Sequence, residues 1–249
     1  MSGFSHDLWR TYRSRIAYPT VVVVLLGLFV LPIVDAALPS SPTDPTSVEL
    51  IAVVLGAVLP FVAAGGTNRD YARAKLQGLL EPILAQPITR GGLLASRFLG
   101  GLFAVLTPVV VVYGIQAGNH SFGPTGTMAL GWVYFGLVVE FAFASGLVLL
   151  LAQVSRSQIA VTSGSSFLTF LLAILIPGLV WIAHAEIPVF PPLTEWLSSH
   201  YFVAPLSYGL AGYGIVFGGA PAAAPFIVVG ISWALLPFLG AYAANRFAD

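Results

Sequence analysis

The run WLSSHYFVAPLSYGLAGYGIVFGGAPAAAPFIVVGISWALLPFLGAYAAN, residues 196–245, holds no Asp, Glu, Lys or Arg in 50 residues. How often it crosses a bilayer decides the fold. A crossing helix needs about 20 mostly apolar residues, so there is room for two. Pro221 to Ala244 reads as one span. The earlier part, FVAPLSYGLAGYGIVFGG, is rich in Gly and Pro and broken by Pro205, Ser207 and Tyr208. That texture suits re-entrant or interfacial helices, because irregular backbone at membrane depth must be buried in protein or line a cavity.

Working outward, five further stretches meet the length test: 17–38, 49–66, 91–116, 127–153 and 159–184. With 221–245 they predict six transmembrane helices in an all-α integral membrane protein, one transmembrane domain over 1–249. Charge placement supports six over seven. Arg10, Arg13, Arg15, Arg69, Arg73, Lys75, Arg90, Arg97, Arg156 and Arg246 then all fall on one side or just inside it. The opposite loops, 39–48, 117–126 and 185–220, hold Asp44, Glu186 and Glu195 but no Lys or Arg. The positive-inside rule predicts a multi-pass protein with both termini in the cytoplasm.

Composition agrees. Charged residues make up 8% of the 249 and hydrophobic residues 57%, where a soluble domain carries roughly 25% charged. This argues against a soluble enzyme or a nucleic-acid binder. With no Cys, thiol chemistry and Cys-ligated zinc or iron–sulfur centres are excluded. Residues 18–34 read as a retained first span, being long for a signal peptide. Before them Phe4, Leu8, Tyr12 and Ile16 recur every four residues, predicting an amphipathic helix in the cytoplasmic interface.

No phosphate-binding loop occurs, and the one lysine sits in YARAKL, so this chain is expected to bind no ATP by that route. Neither G-x-S-x-G nor H-E-x-x-H occurs. The clusters ASG (144–146) and TSGSS (162–166) would suit an intramembrane serine protease, but no His lies in a span to act as base. His184, Glu186 and His200 show no metal-ligand spacing. The expectation is no catalytic residue, metal or cofactor on this chain.

The loop between spans two and three is the most informative: NRDYARAKLQGLLEPILAQPITRGGLLASRFLG (68–100). Leu76, Leu79, Leu80, Ile83 and Leu84 recur at helical spacing, predicting an amphipathic cytoplasmic helix at about 70–85. Pro87 ends it, and Thr89 is placed to cap the third span. QGLLEPILAQPITRGGLLASR resembles the signature of ABC type-2 transporter permeases. Gly78, Glu81, Ile83-Leu84, Pro87, Thr89, Arg90, Leu93, Leu94 and Arg97 carry the match. Leu79 replaces a usual Thr, Gln77 a common acid, and Pro82 interrupts the helix.

The resemblance implies a dimer of permease subunits docked on separate ATPase subunits, in a 2:2 complex, with ATP and Mg held by the partner. It makes Arg73, Lys75, Gly78, Leu79, Leu80 and Glu81 the ATPase-coupling candidates, and Pro87, Thr89, Arg90 and Arg97 a helix-boundary motif. It further implies an exporter of a hydrophobic or amphipathic substrate. Nine Arg to one Lys suggests a GC-rich bacterial or archaeal genome, hence a plasma membrane.

Within the spans, Glu140 stands in FGLVVEFAFASG. An ionisable group there costs a few kcal/mol and must be neutral, paired or facing a wet cavity. Thr162, Ser165, Ser166 and Thr169 allow close helix packing or line a path. The alternatives to a permease are a membrane enzyme or protease using Glu140 or these hydroxyls, and a non-transporting assembly or immunity protein.

Overall fold

The computed structural model describes residues 3–30, 46–63, 69–80, 88–118, 123–187, 191–217 and 223–246, and every regular element among them is a helix. α1 is Gly3–Arg15, and α2 is Ala17–Val24, running on through a π-turn, Leu25–Val30. α3 is Thr46–Val62, α4 Arg69–Leu76, α5 Arg90–Gly118 and α6 Gly123–Val154. α7 (Gln158–Phe170) and α8 (Ile176–Glu186) are joined by a π segment, Leu171–Leu175. α9 (Leu193–Ser199), a short turn at Tyr201–Val203, α10 (Tyr208–Phe217) and α11 (Ala223–Arg246) complete the order.

Among the described residues, four rods are long and apolar enough to cross a membrane: Arg90–Gly118, Gly123–Val154, Gln158–Glu186 and Ala223–Arg246. The chain is an all-helical membrane protein. Of the first two expected spans, the structure describes the shorter apolar helices Ala17–Leu28 and Val48–Val62. Their remainders, at 31–38 and 64–66, lie outside the described residues.

α6 is the central post. Of its most apolar window 72% is buried, against 12% for α7–α8 and 22% for α11. Lipid is as apolar as leucine, so helices in it associate by close packing rather than by a hydrophobic drive. Glycines supply that closeness. A Cβ on Gly136 would lie 2.3 Å from the Tyr208 carbonyl, and one on Gly212 would lie 2.5 Å from the Trp132 carbonyl. α10 is thereby pressed against α6. Val110, Val111, Phe167, Leu179, Val228 and Leu236 are exposed on the outer helices, as lipid-facing side chains are.

Two pieces differ from the sequence reading. The helix expected over 70–85 stops at Leu76. Gly78 takes φ +70°, while the Leu79 N–H donates to the Ala74 carbonyl at 2.8 Å and the Gly78 N–H to that of Lys75 at 3.2 Å. This is a Schellman closure, in which a left-handed glycine satisfies the last carbonyls. Residues 81–87, Glu81 and Pro87 among them, lie outside the described residues.

The second difference is α1. The face it buries is Asp7, Thr11 and Arg15, not Phe4, Leu8, Tyr12 and Ile16. Asp7 pairs with Arg97 at 2.8 Å and accepts from the Ser96 hydroxyl, both on α5. Thr11 sits where a Cβ of Gly100 would be. The polar stripe packs on protein, and the neighbouring apolar stripe is left half-exposed.

Candidate binding cavity

A cavity of about 570 Å³ opens among α3, α6, α8 and the α9–α10 segment, with Glu49, Gly56, Glu140, Ile174, His184 and Ser207 in its lining. Its floor is Glu140, 17 residues into α6 and so about 25 Å from that helix's start. Its rim is Glu49 and His184, near the ends of their helices.

Two local features build the walls. Pro177 has no N–H to offer the carbonyl four residues back, so the α7–α8 rod loosens into its π segment there. Ala173, Ile174, Pro177 and Gly178 of this irregular stretch face the cavity. The other wall is the chain after α9, which dips to the level of Glu140 and returns as α10. The return runs antiparallel to α6, since Tyr208 and Gly209 meet Gly136 and Gly212 meets Trp132. Tyr208 is pinned by donating its hydroxyl to the Phe226 carbonyl at 2.6 Å and by stacking on the Phe226 ring.

Glu140 is fully buried. Its Oε1 accepts the Gly209 N–H at 2.7 Å. The carboxyl group thus caps α10 from another helix and lies at the positive end of its dipole. A serine before a helix ordinarily takes this role. Ser207 is displaced from it, and its buried hydroxyl has no hydrogen-bond partner among the described residues. Neither has Glu140 Oε2. That oxygen faces Gly56, whose Cβ would stand 3.2 Å away.

Thr162, Ser165, Ser166 and Thr169 are not in the cavity's lining. Thr162 and Ser165 donate to carbonyls of their own helix, those of Gln158 and Thr162. Ser165 and Thr169 are buried, continuing the face that Val161 begins. Among the described residues there is no cluster of three or more His, Asp or Glu that could hold a metal.

The coupling candidates gather at the opposite end. Lys75 donates to the carbonyls of Ala152 (3.1 Å) and Gln153 (3.4 Å) and to the Gln153 side chain. It caps the last turn of α6, while Gln153 donates to the Tyr71 hydroxyl at 2.9 Å. Partial burial, and then the charge of Arg90, lower the lysine's proton affinity. Arg73 reaches Gln77, and Leu79 is 56% exposed just past the glycine turn. The Thr89 hydroxyl accepts the Gly92 N–H at 3.0 Å and so caps α5. Arg90 opens that helix, and Arg97, two turns inside it, holds Asp7.

Sequence reasoning missed Ser207, Gly56 and Glu49 as neighbours of Glu140. The S-Y-G that opens α10 was the available signal, a serine N-cap ahead of a small residue. Comparison with known protein-family models and with curated proteins returns no match for this chain.

Proposed function

We propose that the chain is the membrane-embedded permease subunit of an ATP-driven exporter, with ATP hydrolysed by a separate ATPase subunit. The observation that carries this reading is the cavity beside Glu140, polar at its floor and walled by the α9–α10 segment and a loosened rod. Transport needs such a point inside an apolar bundle, between walls able to shift. The resemblance of residues 77–97 adds the motor. Lys75 adds the link, because α4 grips the end of the helix that carries Glu140. A push on α4, with exposed Leu79 and half-buried Leu80 just past its end, is then delivered to α6 and the cavity floor. The proposal includes six spans, a second copy of the chain, both termini in the cytoplasm and a bacterial or archaeal plasma membrane.

The test is isolation of the tagged chain from the membranes of its own cells in mild detergent. An ATPase subunit is expected in equal amount, as a 2:2 complex. Leu80→Trp is expected to release that subunit or cut its stimulated ATPase activity. Lys75→Ala is expected to leave the complex assembled but uncoupled. Recovery of a stable, active chain with no ATPase would refute the reading.

A further inference from the structure

We infer that the cavity beside Glu140 binds an organic monocation, a protonated amine carried on a compact apolar body. The inference rests on the transport reading and names the chemistry of the cargo's head group. Glu140 Oε1 is committed to the N-terminus of α10, accepting the Gly209 N–H at 2.7 Å. Oε2 is left over, and among the described residues no hydrogen-bond partner reaches it. Ser207, 5% exposed, brings a second hydrogen-bonding oxygen that is likewise without a partner among them. Both residues line the same cavity, whose lining includes no Lys or Arg. Gly56 lies against Oε2, where a side chain's Cβ would stand 3.2 Å away and crowd it.

The class of ligand follows by elimination. An anion would meet Glu140 at the floor and Glu49 on the wall. A bare metal cation needs about six oxygen ligands, where the floor offers one unpartnered carboxylate oxygen and one hydroxyl. The remaining walls, Ala52, Ala57, Ile174, Leu206 and Leu210 among them, are apolar. The volume of about 570 Å³ falls in the range of pockets for small organic molecules, roughly 300–1,000 Å³. An ammonium N–H donating to Oε2, with Ser207 alongside and a hydrocarbon body against the walls, gives both unpartnered oxygens a partner.

The experiment uses the full chain in phosphatidylcholine nanodiscs at neutral pH, with tritiated 1-adamantylammonium as probe and neutral 1-adamantanol as competitor. Saturable binding is expected, with the alcohol competing about tenfold or more weakly. Glu140→Gln keeps an acceptor for the Gly209 N–H and is expected to lose about tenfold or more in affinity. Ala57→Phe fills the cavity without touching that bond and is expected to abolish binding, with helicity and elution volume confirming its fold. Absence of saturable binding to the wild-type chain, equal competition by the alcohol, or unchanged binding in both variants overturns the inference. Binding is measured without an ATPase, so it can fail while the complex is still recovered, or hold while the complex is absent.

Discussion

At the scale of single residues, a glycine and a glutamate set the cavity floor together. Gly136 lets the Tyr208–Gly209 backbone approach α6, and that approach brings the Gly209 N–H onto Glu140 one turn further along. An alanine at 136 would place Cβ 2.3 Å from the Tyr208 carbonyl oxygen and 2.4 Å from the Gly209 nitrogen. Both are backbone atoms, which cannot rotate aside. Gly136→Ala is therefore expected to cost about 2–3 kcal/mol, the upper range for overpacking. Gly114 has nothing within 4 Å of its would-be Cβ. Gly114→Ala is expected to be neutral or to gain about 0.5–1 kcal/mol from helix propensity. Equilibrium unfolding in mixed micelles compares the two, and equal losses would contradict this account. Glu140 stood out in the sequence as a costly charge in a span. Its partner did not, because it is a backbone N–H 69 residues away and carries no residue-type signal. Ser207 was hidden for a related reason: its hydroxyl matters only because Glu140 has taken its capping place.

At the scale of elements, α1 shows how an amphipathic pattern can be legible while its packing face is not. Phe4, Leu8, Tyr12 and Ile16 form a stripe visible to inspection, but at a membrane surface an apolar stripe can face lipid as well as protein. α5 decides the matter with Ser96, Arg97 and Gly100, which suit Asp7 and Thr11 and not a leucine. Asp7 and Arg97 are 9% and 13% exposed, so neither has water to fall back on when its partner is removed. Asp7→Ala and Arg97→Ala are each expected to destabilise the α1–α5 contact by about 2–3 kcal/mol. The double variant is expected to be no worse than either single one, since it strands no charge. Hydrogen exchange over residues 3–15 reads the release of α1, and simple additivity of the two losses would sink the pairing argument. α4 teaches the reverse lesson. The apolar spacing continues past residue 80, but Gly78 in the left-handed region ends the helix first. Periodicity marks which residues share a face and says little about where the backbone turns.

At the scale of the whole molecule, the ordering of charge and the depth of α10 both fit the proposed six-span topology. Asp7, Tyr71, Lys75, Arg97 and Gln153 meet through side-chain contacts at one end of the bundle. The cavity rim, with Glu49 and His184, lies towards the other. The proposed partition of Lys and Arg comes from the sequence alone, because translocation acts on loops and not on tertiary contacts. α10 has 10 residues and so rises about 15 Å, half of a hydrocarbon core about 30 Å thick. Beginning level with Glu140, it can only return to the end from which the chain came. A chain that crossed here would carry Arg246 to the face otherwise lacking basic residues. The absence of Cys makes any introduced thiol unique. Single cysteines replacing Gly123, Glu186 and Phe217 are expected to react with a membrane-impermeant maleimide from outside intact cells. Cysteines replacing Ser157 and Asn245 are expected to react only in inverted vesicles. Labelling of 186 and 217 from opposite sides would reject the half-depth return of α10. Opposite sides for 123 and 186 would reject the antiparallel order of the rods on which the cavity depends.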